Sequence, residues 1–175
     1  MINIKIKLFL LGATLFFFLV LRIQGADLIR SYSPKGIVSL EIAPSAKATA
    51  EVLDGFAADG LIAKTRQNIL IDFFFILFYS MLFYTLAGSI SVRMHGKAAT
   101  AGVLLAFFSL IAGLFDVFEN ILMFLATYGW YNDLTAILTT FFASTKFLLL
   151  FIALLYIIPF GIVVIMKRKI TPAIR

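Results

Sequence analysis

The sequence predicts an all-α membrane protein, a four-helix transmembrane bundle with a short extracytoplasmic lid segment, as a single integral membrane domain over residues 1–175. Three observations predict it. The chain is 62% hydrophobic and only 14% charged, whereas a soluble domain is about half apolar and about a quarter charged. Its apolar residues, twenty phenylalanines among them, gather in long runs almost free of charge, and a helix needs roughly 18 such residues or more to cross a hydrocarbon core about 30 Å thick. The net charge of +6 sits mainly beside those runs, where Lys and Arg fix topology, so nucleic acid is not an expected partner.

The first span covers about residues 8–23, "LFLLGATLFFFLVLRI". Ile4 and Ile6 lengthen it, and Lys5, Lys7 and Arg22 can extend their charged ends to the two interfaces. A cleaved signal peptide is the alternative, with Gly25 and Ala26 as the small-residue site. Retention is expected, because the stretch is long for an apolar region of about 7 to 15 residues and Arg22 anchors its far end.

Residues 26–67 are the only substantial part outside lipid. "IVSLEI" alternates weakly and predicts a short extended piece. Ser45 after Pro44 is a natural N-cap, followed by Ala46, Ala50, Leu53 and Ala57 at a helical spacing. Asp59 and Gly60 mark a break. Roughly forty residues can hardly bury a core of their own, so the segment is expected to lie on the bundle as an amphipathic lid, or else on the bilayer surface. The second, third and fourth spans follow at about residues 68–92, 98–127 and 134–166, the last with Pro159 as an expected kink.

Orientation follows from the flanks. Lys5 and Lys7, then Arg93 and Lys97, then Lys167, Arg168, Lys169 and Arg175 fall on one side of a four-span chain, so both termini are placed in the cytoplasm. The turn "YGWYND" has no Lys or Arg, and its Tyr128, Trp130 and Tyr131 suit an interfacial belt on the outer face. The long first loop carries five bases, offset by five acids, Asp27, Glu41, Glu51, Asp54 and Asp59.

The polar residues inside the spans carry the functional question. In "GLFDVFENILMF", Asp116, Glu119 and Asn120 interrupt a run fit for lipid. Gly102, Ala106, Ser109, Gly113, Asp116 and Asn120 recur at steps of four and three and share one stripe of a helix. Small residues on such a stripe let neighbouring backbones approach, which makes the third span the central helix and turns its acids toward protein. At 1.5 Å per residue, Glu119 lies roughly 13 Å and Asp116 roughly 18 Å inward from Tyr128, and Lys146 roughly 18 Å inward from Leu134. Asp72 lies about 6 Å below Asn68. A lone charge at the centre of a span costs about 2.5 to 3.5 kcal/mol, so Lys146 is predicted to bridge to Asp116 or Glu119, with Arg22 as an outer partner for Asp72 or Glu119.

Three acids against two cations leave one carboxyl to be protonated, hydrated or matched by a cation. An all-oxygen metal site from Asp72, Asp116, Glu119 and Asn120 would suit a hard cation, but Lys146 at the same level speaks against it. Tyr79 and Tyr84 read as packing, Thr135, Thr139, Ser144 and Thr145 as hydroxyls bonded to their own helix, and His95 as a solvated turn residue. Without cysteine, and without phosphate-loop, dinucleotide, zinc-protease or nucleophile-elbow motifs, no cofactor is implied.

The segments "GIVSLEIA" (36–43), "LIDFFFILFYS" (70–80), "GLFDVFEN" (113–120) and "TKFLLL" (145–150) resemble a group of small four-span bacterial membrane proteins of unassigned activity, over about residues 36–150. The resemblance implies a multi-pass protein of a bacterial cell membrane and attaches no chemistry to it.

Four functions are weighed. The favoured one binds a lipid or an apolar small molecule between the helices beside the charged cluster. A purely structural or assembly subunit would use the same charges to hold helices together. A proton- or ion-coupled carrier would use the surplus carboxyl and, with four spans and no internal repeat, would work as a homo-oligomer. An enzyme on a lipid-borne substrate would need Asp116, Glu119 and Lys146 as acid, base and electrostatic stabiliser.

Overall fold

The computed structural model describes residues 3–170, with side chains through residue 166. Arg175, and the side chains of Lys167, Arg168 and Lys169, lie outside the described part, so that portion of the positive flank is not located. Helix α1 spans Ile4–Gln24 and is followed by a 3-10 turn at Gly25–Leu28. The lid carries α2 (Val38–Glu41) and α3 (Ala46–Ala58). Three long helices complete the bundle: α4 (Ile62–Ser91), α5 (Lys97–Ala126) and α6 (Asp133–Ile170). Four of the helices are long and apolar enough to cross a membrane.

Helix α5 packs against both α4 and α6, while α4, not α5, touches all three other long helices. The small-residue stripe of α5 is buried throughout, and two of its glycines show why. A Cβ on Gly113 would stand 2.8 Å from Ser80 Cβ, and one on Gly102 would stand 2.7 Å from Ser91 Cβ while meeting the Tyr156 ring. Only a hydrogen fits there, so α4 can come close without an apolar driving force between the two helices. On the other flank Phe115 and Phe118 pack on Phe142 of α6, with ring centroids 5.5 and 5.7 Å apart.

Helix α1 is peripheral. Among its residues only Thr14 is buried, and it is held to α4 by an aromatic ladder in which Phe17 stacks on Phe74 and Phe78 at 5.6 and 5.4 Å. It begins at Ile4 because Asn3 caps it, accepting a hydrogen bond from the Lys5 backbone N–H. Helix α4 starts at Ile62 rather than near residue 68. Gly60, at φ +70°, turns the chain into it, and Thr65 Oγ1 donates to the Leu61 carbonyl. Hydropathy marks where a helix enters lipid, and these polar first turns project beyond that level to support the lid. Helix α6 runs on through Pro159, which lies inside it without ending it.

The lid rests on the bundle, not on the bilayer surface. Leu28, Leu40, Val52, Leu53 and Phe56 form one core with Ile69, Met123 and Ala126 of α4 and α5. Ser45 caps α3 as expected, accepting from the Ala48 N–H. The buried face of α3 is Thr49, Val52, Leu53 and Phe56, so the alanine-rich face expected from Ala46, Ala50 and Ala57 gives way to its larger neighbours, which bury more apolar area per residue. The "IVSLEI" stretch is also corrected, since it forms helix α2 rather than an extended piece. Gly36, at φ +63°, turns the chain there, and with no strand among the described residues to pair with, the backbone N–H groups of Leu40 and Glu41 bond back to the Ile37 carbonyl. Two long-range bonds fix the lid to α6: the Ala46 N–H donates to Asp133 Oδ1 at 2.7 Å and Thr140 Oγ1 donates to the Ala43 carbonyl at 3.1 Å. Of the aromatic belt, Trp130 and Tyr128 are exposed, with Arg66 stacked 3.6 Å over the Tyr128 ring, but Tyr131 packs against the lid core instead.

Candidate functional site: a charged knot beneath the lid

Helical periodicity puts Asp116, Glu119 and Asn120 on the inward side of α5, and all three are buried. The equal depths of Asp116 and Lys146 become contact. Lys146 Nζ of α6 donates to Asp116 Oδ1 at 2.5 Å and to Glu119 Oε1 at 3.0 Å, with Glu119 Oε2 at 2.9 Å. Tyr79 of α4 donates its hydroxyl to Asp116 Oδ2 at 2.7 Å, and Asn120 Nδ2 donates to Asp72 Oδ2, also at 2.7 Å. Three spanning helices thus meet in one polar knot.

Two members go beyond the sequence expectation. The sequence groups Glu41 with the acids that offset the loop bases, yet α2 carries it into the knot, where its Oε2 lies 3.6 Å from Lys146 Nζ. The available signal was an acid enclosed by Leu40, Ile42 and Ala43. Tyr79 reads as packing in the sequence, but its spacing of seven from Asp72, two helical turns, puts both on one face and marks it as a candidate. Arg22 requires a correction in the other direction. It is exposed and pairs with neither Asp72 nor Glu119, because α1 lies on the outside of α4 and the fully buried Glu119 is closed off by α6 and the lid.

The electrostatics of the knot are crowded. Lys146 gives hydrogen bonds to Asp116 Oδ1 and Glu119 Oε1, and the buried Glu41 Oε2 and Glu119 Oε2 are left without one. Burial is the main reason that the Glu41 carboxyl is pushed above its ordinary 4.5; Lys146 opposes the shift and Asp116 adds to it. Lys146 Nζ itself occupies the place a cation would take between Asp116, Glu119 and Glu41.

Beside the knot, between α1, α4, α5 and the lid, lies a cavity of about 180 Å³. Its floor includes the buried Glu41, Asn68 and Asn120 and the half-buried Asp72, its exposed rim Arg22 and Lys35, and its walls Leu21, Ile37, Val38, Ile69 and Met123. Asp116, Glu119 and Lys146 do not line it. The site therefore has a closed half, able to lock helices and lid together, and an open half, able to receive a molecule with a polar end. No protein-family model matches this chain, and no curated protein or solved structure is significantly similar to it.

Proposed function

We propose that this chain binds an amphipathic ligand, a lipid or an apolar small molecule with a polar end, in the cavity beneath the lid, within a bacterial cell membrane. The lid is taken to face outward and both termini the cytoplasm, a reading supported by Lys5, Lys7, Arg93 and Lys97 at the end of the bundle opposite the lid. One observation carries the proposal: a cavity between helices with apolar walls and a few convergent polar groups on its floor, the arrangement that suits such ligands. Lys146 and its two α5 acids have the structural role beside it, since they tie α5 to α6 and, through Glu41, to the lid. Ser80, Thr85 and Ser109 donate to carbonyls of their own helices, which favours packing over a relay role for these three hydroxyls.

The test is native mass spectrometry on protein purified from its membrane, beside the cavity-filling variant Val38→Trp. The wild type is expected to retain a bound mass that the variant loses at unchanged thermal stability. Identical spectra from the two proteins, each showing only bulk lipid, would defeat the proposal.

A further inference from the structure

We propose that the cavity takes the headgroup of an aminophospholipid, its phosphate at the Arg22 and Lys35 rim and its ammonium on the floor made by Asp72 and Glu41. The inference rests on the ligand-binding reading above and narrows it to one chemical class.

Charge is sorted by depth within this one cavity. Arg22 and Lys35 are exposed, and neither side chain makes a hydrogen bond or ion pair among the described residues. Arg22 stands in the last turn of an apolar span, the level at which long basic side chains meet lipid phosphates. The floor has the opposite character. Glu41 is only 7% exposed and lines the cavity, with its Oε2 turned toward Lys146 at 3.6 Å. Its nearest cation, Lys146, is committed at shorter range to Asp116 and Glu119. Asp72 accepts one hydrogen bond, from Asn120. Three carboxyls thus crowd one ammonium, with Asp72 beside them, and a second ammonium entering from the cavity side would bring donors to the Asp72 carboxyl and a second positive charge toward Glu41.

Other headgroups fit less well. A quaternary ammonium cannot donate a hydrogen bond to Glu41 or Asp72. An anionic glycerol headgroup places no positive charge against the floor, and a simple cation must pass two like-charged side chains at the rim. The apolar walls between rim and floor suit the two methylenes of the ethanolamine arm, while the glycerol and acyl chains stay outside the rim.

The experiment offers the purified full chain an equimolar mixture of phosphatidylethanolamine, phosphatidylcholine and phosphatidylglycerol and reads bound lipid by native mass spectrometry. Phosphatidylethanolamine is expected to be retained about tenfold over either competitor, the difference expected of one charge-assisted hydrogen bond. Asp72→Asn should abolish the preference over phosphatidylcholine while lipid is still bound and the melting temperature is kept. Arg22→Gln with Lys35→Gln should weaken all three lipids together. Equal retention of the three lipids by wild type and Asp72→Asn would overturn the headgroup assignment and leave a nonselective cavity. Retention no greater than in Val38→Trp would overturn the ligand-binding reading as well. Saturation by free glycerophosphoethanolamine without any lipid bound would move the site to a soluble compound and overturn the lipid claim.

Discussion

Replacing Lys146 with Met keeps most of the side-chain volume but removes the one ammonium shared by Asp116, Glu119 and Glu41, whose side chains are 5%, 0% and 10% exposed. Solvent cannot take over at that burial. Removing one partner of such a buried pair costs about 3 to 5 kcal/mol. For a chain of this length about 2–4 °C of melting temperature accompanies each kcal/mol, so the loss amounts to roughly 6–20 °C. Part of that cost is the charge left behind on Asp116, 2.5 Å from the lost Nζ. Asp116→Asn removes that charge while keeping an acceptor for the Tyr79 hydroxyl, so the double variant should be less damaged than the two singles together, by about 1 to 3 kcal/mol. The assay is thermal unfolding in one detergent for the wild type, both singles and the double. Effects that sum to within about 0.5 kcal/mol would show that the pair is not coupled, and the account of the knot would fail.

Three more outcomes are expected. The Glu41 carboxyl sits above its ordinary value in the folded state, so its contribution is fully present below that ordinary value and is lost as pH rises through the raised one; Glu41→Gln should match the wild type near about pH 4 and exceed it at about pH 8, and parallel stability curves would refute this. Gly113→Ala, whose methyl would meet Ser80 Cβ, should cost about 1 to 3 kcal/mol in detergent melts, whereas Gly88→Ala, which meets nothing within 4 Å, should be neutral or stabilise by about 0.5 to 1 kcal/mol; equal effects would dismiss the close approach of α4 and α5. The chain has no cysteine, so Asp59→Cys should react with an impermeant maleimide in intact cells and His95→Cys only after lysis, and the reverse pattern would invert the proposed topology.

The four spans could be read because lipid imposes length and hydropathy on each helix separately. The stripe from Gly102 to Asn120 and the Lys146 pairing could be read for a related reason. Helical rise fixes depth, and desolvation makes opposite charges at one depth seek each other. Boundaries failed where a helix leaves lipid, as at Ile62, since polar turns extend a helix without registering as apolar. The face of α3 failed because its alanines offered a regular spacing, while burial followed the bulk of Val52 and Phe56.

By itself, then, the amino-acid order determined the four helices able to cross a membrane, the buried stripe of α5 and the meeting of Lys146 with Asp116 and Glu119, all consequences of periodicity along single helices and the cost of isolated charge in hydrocarbon. Only the tertiary structure decided that Glu41 descends from the lid into the knot, that Tyr79 closes it from α4, and that Arg22 stands at a cavity rim instead of pairing. Those placements depend on the path of the lid and on which side of α4 receives α1, and no spacing within one segment encodes a contact made by packing between segments distant in the chain.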